Sequence, residues 1–207
     1  MPPSRPWDRS SRGGREQRAS LTLRTRILIV CEGAKTEPNY FRRFPVANVI
    51  DVEVIGTGFN TDSLVTHASV LRDRAEAEGR AFNEIWCVFD RDSFTAQNFN
   101  RALQLAQNER IRTATTNEAF ELWYLLHFNF HDVGISRATY AERLTRVLGI
   151  PYAKNMADIY ERLLERQPTA IRNATALLKR YAPWSPERHN PSTNVHQLVT
   201  RLNELAE

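Results

Sequence analysis

Cysteine is nearly absent from this 207-residue chain, with two residues, and lysine and glycine are scarce, with three and eight. The two cysteines, Cys31 and Cys87, show no Cys-x-x-Cys spacing, which argues against a structural zinc site. Each lies in a short apolar run, so buried reduced thiols are expected; a disulfide stays open only if the two runs become adjoining strands. No apolar stretch approaches the roughly 20 residues that a membrane-spanning helix needs, and no apolar segment follows the basic N-terminus, so a soluble, unexported, cytoplasmic protein is expected. A P-loop is missing, and no Gly-x-Gly-x-x-Gly follows the first apolar run. Nucleotide binding by the chain alone therefore has no support, and any ATP dependence should come from a partner.

What is present is the balance of an ordinary globular protein, 42% hydrophobic and 25% charged, in a length suited to one α/β domain or to an α/β core with a helical addition. The formal net charge of +4 is unevenly spread. Residues 1–26 hold seven arginines against Asp8 and Glu16, a net +5, so the rest of the chain sums to −1. Rich in Pro, Ser, Gly and Arg, residues 1–24 read as a disordered basic tail, either a solvated leader or an arm attracted to phosphates.

From residue 25 strands and helices alternate. Ile27 to Cys31, Val52 to Ile55, Ile85 to Phe89 and Arg112 to Thr115 are predicted strands; the first is apolar throughout, as in a strand buried on both faces. Between them Thr36 is placed to cap a helix over Asn39 to Phe44, Asp62 to cap one with Leu64, Val65, Ala68 and Leu71 on a stripe, and a third runs from Ala96 to Gln107. This predicts the α/β class, a mostly parallel sheet flanked by helices, over 25–116. After Thr116 no convincing strand is visible. Asn117 to Phe128, Arg137 to Leu148, Met156 to Glu165, Ala170 to Arg180 and Thr193 to Leu205 read as helices, so 117–207 is predicted as an α-helical C-terminal extension packed on the core.

In an open parallel sheet the usable site lies beyond the carboxyl ends of the strands. Glu32, Asp90 and Asp92 all follow predicted strands immediately, which places them on one rim. Converging carboxylates repel unless a cation joins them, and hard oxygen ligands suit Mg²⁺ or Mn²⁺. The bland alternative for Asp90-Arg91-Asp92 is a turn whose side chains, or Ser93, cap the next helix. Between the acidic strand ends stands Gly56-Thr57-Gly58-Phe59-Asn60-Thr61, either a tight turn or a loop that admits a phosphate. Glu121 is the single charge in Ala119 to Phe128, a segment apolar on nearly all sides, and so requires a partner: an arginine, or a role at the metal as ligand or support. His127 in the same run is expected to be a hydrogen-bonded core histidine. Lys154 is a candidate phosphate contact, and Asn190-Pro191-Ser192-Thr193 reads first as a helix cap and second as a phosphate site.

Taken together, Cys31-Glu32-Gly33-Ala34-Lys35-Thr36-Glu37-Pro38-Asn39-Tyr40-Phe41, Gly56 to Thr61, Val88-Phe89-Asp90-Arg91-Asp92-Ser93-Phe94, Phe120 to Phe128 and Asn190 to Thr193 resemble the RloB-like proteins, in order and over roughly 25–205. The family is regarded as Toprim-like, similar to the nuclease domains of OLD-family and PARIS-type anti-phage effectors. The resemblance implies a Toprim/Rossmann-like sheet and a bacterial defence nuclease that cleaves RNA, including transfer RNA, or DNA with Mg²⁺ or Mn²⁺. It implies Glu32 as the catalytic glutamate, Asp90 and Asp92 as metal ligands, and Lys154 at the leaving or bridging oxygen; Glu121 stays a candidate additional ligand on its burial alone. Gly56, Gly58, Asn60, Thr61, Asn117, Asn190, Ser192 and Thr193 are the expected nucleic-acid contacts. An ABC-like or AAA-type ATPase is the implied partner. With a near-neutral folded part, substrate binding would rest on the tail, that partner or a homo-oligomer. Two rivals are weighed: a haloacid-dehalogenase-like phosphatase, against which stands the position of the Asp-x-Asp on the third strand, and a non-catalytic sensor or scaffold subunit of an ATPase complex.

Overall fold

The computed structural model describes residues 25–45, 50–57, 61–91 and 95–206. Asp92, Gly58, Asn60 and the basic tail lie outside the described residues, and so does Ser93. Five strands, β1 (Thr25–Cys31), β2 (Ile50–Gly56), β3 (Glu84–Asp90), β4 (Arg112–Asn117) and β5 (Ser192–Thr193), form one sheet in the order β2-β1-β3-β4-β5. All pairings are parallel except β4 with β5.

The central strands explain the sheet. In β1, Ile27, Ile29 and Cys31 enter one hydrophobic cluster while Leu28 and Val30 enter the other. The same period of two sends Trp86 and Val88 of β3 to the first cluster and Ile85, Cys87 and Phe89 to the second. Both strands are therefore covered on both faces, as their near-continuous apolar sequence requires, and each buried aliphatic contributes about 1.5–3 kcal/mol. Cys31 and Cys87 sit on adjoining strands but on opposite faces, and both are free thiols. Burial raises the pKa of both, that of Cys87 to about 12, which keeps them protonated and inert.

On the second face lie α2 (Thr61–Ala77) and α3 (Ala96–Asn108). On the first lie α1 (Thr36–Phe41), α4 (Glu121–Leu126), α5 (Arg137–Leu148), α6 (Ile159–Leu163), α7 (Gln167–Lys179) and α8 (Val195–Ala206). The helices after residue 117 thus complete the core begun by β1, β3 and β4, with Trp123, Tyr140, Leu163, Leu177 and Leu198 in one continuous cluster. Local signals set several of these boundaries. Ser136 caps α5 by accepting the Thr139 amide at 3.2 Å, and Gly149, at φ +71°, ends it.

Five expectations are corrected. β5 exists after Thr116; two residues are too few to show a period, and the strand is held by pairing with Thr116 and Asn117. Asn117 ends β4, and α4 starts only at Glu121. Thr36 does not cap α1: it is the first helical residue, and its hydroxyl donates to Lys154 O at 3.4 Å. The cap of α3 is Thr95, which accepts the Asn98 amide at 3.2 Å, and α2 begins at Thr61, so that Asp62 is already its second residue rather than its cap. Among the described residues no helix is long and apolar enough to cross a membrane.

Candidate active site at the switch point

The chain leaves β1 toward β2 on one side and returns to β3 on the other, so the order of strands reverses between β1 and β3. A crevice opens at the carboxyl ends of strands at such a point. Glu32 follows β1, its amide bonded to Val88 O of β3 at 2.9 Å, and Asp90 is the last residue of β3. The Asp90 amide donates to Glu32 Oε2 at 3.1 Å. The rim shared by these two residues, expected from strand ends alone, is therefore built by direct contact.

A cavity of about 350 Å³ opens here, lined by Glu32, Glu37, Asp90 and Glu121 and by three cations, Lys35, Arg137 and Lys154. Asp90 is 7% exposed, Glu37 5% and Glu121 3%. Asp90 Oδ2 accepts the Phe120 amide at 3.0 Å and lies 3.6 Å from Arg137 Nη2. Its other oxygen, Oδ1, is buried and has no hydrogen-bond partner among the described residues. Burial, and then the carboxylates of Glu37, Glu121 and Glu32, hold the Asp90 pKa well above its ordinary value; the Phe120 amide opposes them.

Glu121 has a partner other than the arginine its sequence context suggests. Tyr152, in the loop before α6, donates its hydroxyl to Glu121 Oε1 at 3.2 Å. Burial and the Glu121 carboxylate together push the tyrosine pKa up, so the phenol stays a donor. Nearby, Tyr124 donates to Thr36 O at 3.0 Å, which ties α4 to the turn after β1. Lys154 reaches the same residue through its carbonyl and lines the cavity, where its charge opposes the rise that burial imposes on the Glu37 pKa.

Glu37 and Arg137 are site residues that sequence reasoning missed. Glu37 reads as an ordinary acid in the first turn of α1, and Arg137 as one of 25 arginines. Burial raises the pKa of Glu37, Glu121 raises it further, and the amides of Glu37 itself and of Gly33 oppose the shift. A signal was available in Gly33: a Cβ there would stand 2.9 Å from Glu37 Cδ, so a glycine lets the carboxylate fold back against the turn.

The other expected contacts are elsewhere. Gly56 packs on backbone, a Cβ there falling 2.8 Å from both Gly33 O and Pro38 Cγ, and it does not line the cavity. Asn117 donates to Pro186 O at 3.0 Å, and the Thr193 hydroxyl bonds Thr116 Oγ1 at 3.0 Å and accepts the amide of Val195, the first residue of α8, at 3.2 Å. Ser192 is buried in β5, and Asn190 abuts Gly134. Thr61 opens α2. His127 is a core residue as expected: Nδ1 lies 2.9 Å from Trp123 O, and burial lowers its pKa to about 4.

Among the described residues no three of His, Cys, Asp and Glu are grouped closely enough to hold a metal ion as they stand. The donor chemistry nonetheless fits a hard divalent cation: the acids are all oxygen donors, they repel one another, and Asp90 Oδ1 has no hydrogen-bond partner among the described residues. Comparison with curated proteins returned no match, and neither did comparison with solved structures. A family model described as RloB-like protein matches residues 27–202, nearly the whole of the described chain, and on that match the chain belongs to the RloB-like protein family.

Proposed function

We propose that the cavity at the β1–β3 switch point hydrolyses phosphodiester bonds in nucleic acid with a divalent cation, as a Toprim-type nuclease effector in bacterial anti-phage defence. One observation carries the reading: Asp90 Oδ1, buried and without a hydrogen-bond partner among the described residues, stands in a cavity where four carboxylates converge with Lys35, Lys154 and Arg137. A solely structural cluster has no need of an orphaned carboxylate oxygen, which costs stability unless a ligand satisfies it.

Glu32 and Asp90, with Asp92 expected beside them, would hold Mg²⁺ or Mn²⁺. The cation would supply charge neutralisation at the phosphate and a more acidic water. The chain's own residues do the rest. Lys154 and Lys35 bind phosphate oxygens from the open side, and Arg137, beside Asp90, adds a third positive charge. Glu32, oriented by the Asp90 amide, accepts the proton of the attacking water at its carboxylate. Lys154 stands by to protonate the leaving oxygen. Glu121, fixed by Tyr152, keeps the negative lobe of the cavity in place from behind.

The test is end-sequencing of cellular RNA and DNA after induced expression of the wild type and of Glu32→Ala, together with the purified protein on both substrates with Mg²⁺ and with EDTA. Cleavage that needs the cation and Glu32 supports the reading. Intact RNA and DNA in the wild-type cells, with an ATPase partner present, would favour a scaffold subunit instead.

A further inference from the structure

Resting on that reading, we infer that the loop between α4 and α5 together with the outer face of α5 forms a second site, one that receives an unpaired nucleotide of a single-stranded substrate. Three observations meet there. Phe130 is 42% exposed and Val133 61%, two large apolar side chains held in one short loop at the surface. A cavity of about 360 Å³ opens beside Phe130, lined by that ring, His131, Arg143 and Arg146 among others. Among the described residues neither arginine lies within ion-pairing distance of a carboxylate; Arg143 Nη1 lies 3.3 Å from His131 Nδ1 instead. An aromatic face beside guanidinium groups that no carboxylate neutralises is what stacks an unpaired base and offsets the charge of its phosphate, and the π-face of a base needs no particular sequence.

Position joins this pocket to the catalytic cavity. α5 starts at Arg137, which faces Asp90, and rises about 1.5 Å per residue, so Arg143 lies roughly 9 Å and Arg146 roughly 14 Å along its axis. A strand of a few nucleotides spans that distance. The ring of His131 rests 5.9 Å from the buried Tyr140 ring of the same helix, which fixes the pocket wall relative to the cavity. Duplex cannot offer an unstacked base to the pocket, so the site selects single strands or loops.

The experiment measures fluorescence anisotropy of labelled oligonucleotides, single-stranded RNA, single-stranded DNA and duplex of one sequence, on the full chain carrying Glu32→Gln to prevent cleavage. The result expected is tighter binding of a single strand than of duplex. Phe130→Ala should weaken single-strand binding about fivefold or more with the salt dependence unchanged, while Phe130→Trp preserves it. Arg143→Gln with Arg146→Gln should lower the slope of log affinity against log salt by about 0.7 per cation. The RNA and DNA arms identify the sugar preferred. Unchanged affinity in both variants, or preference for duplex, overturns the inference even if wild-type protein cleaves. Conversely, single-strand binding that behaves as described, with no cleavage by wild type, upholds the pocket and removes the nuclease reading.

Discussion

The backbone amide of Asp90 donates to the carboxylate of Glu32 at 3.1 Å, joining the ends of β3 and β1 where the strand order reverses. The bond sets the orientation of Glu32 from a rigid strand end, so it survives any change at residue 32 that keeps an acceptor oxygen. Glu32→Gln is therefore expected to fold as the wild type and to lose cleavage by about 10²-fold or more, the usual worth of a general base. Unaltered single-turnover rates in Glu32→Gln with an unchanged melting temperature would remove Glu32 from the chemistry.

Gly33→Ala should act through Glu37. The added methyl meets the Glu37 carboxylate, which must swing out of its place. Overpacking of this kind costs about 1–3 kcal/mol. Combining it with Glu37→Ala should restore most of that loss, because the clash needs both groups; a double-mutant cycle by chemical denaturation reads the coupling. Additive losses would mean that Gly33 is required for its backbone alone.

The acids of the cavity also set a pH dependence. Asp90 and Glu37 are held above their ordinary values in the folded chain, so folding favours their protonated forms. Their contribution is most favourable at low pH and is lost as pH rises from the ordinary carboxylate range, near 4, through the raised values. Every tenfold difference in proton affinity between the folded and unfolded chain corresponds to about 1.4 kcal/mol at neutral pH. Cation-free protein should thus gain stability at pH 8 from Asp90→Asn, with little gain at pH 4. Equal melting shifts at the two pH values would show that the buried charge is not the source of the penalty.

Added Mg²⁺ or Mn²⁺ should reverse the same penalty. At a hundredfold excess over its dissociation constant a ligand of the folded state adds about 2.7 kcal/mol. The rise in melting temperature is expected for wild type at pH 8, to disappear with EDTA and to be absent in Asp90→Asn. A shift of equal size in that variant would place the cation elsewhere.

Tyr152→Phe removes the hydroxyl that donates to Glu121 Oε1 and leaves a buried acceptor. A loss of about 1–3 kcal/mol is expected from denaturant titration, and Glu121→Leu in the same background should recover part of it. No loss in Tyr152→Phe would show that the carboxylate reaches another donor.

Much of the architecture was legible because it is written in local pattern. The apolar runs at Ile27–Cys31 and Ile85–Phe89 can only be strands covered on both faces, and α5 matches its predicted span of Arg137 to Leu148. β5 was not legible, since its two residues owe their conformation to Thr116 and Asn117, some 75 residues earlier in the chain. The site divides the same way. Glu32 and Asp90 announce themselves at the ends of apolar strands, but Ser192 and Thr193, which looked equally distinctive, pair with the edge of β4 and lead into α8.

Sequence by itself determined that acids would stand at the ends of two buried strands, because period and burial are properties of consecutive residues. Only the tertiary structure decided that β1 and β3 are neighbours, that Glu37 turns back over Gly33, that Arg137 arrives beside Asp90, and that Glu121 is satisfied by Tyr152. Each of these is a contact between segments far apart in the chain or a side-chain direction set by packing, and neither leaves a mark on local composition.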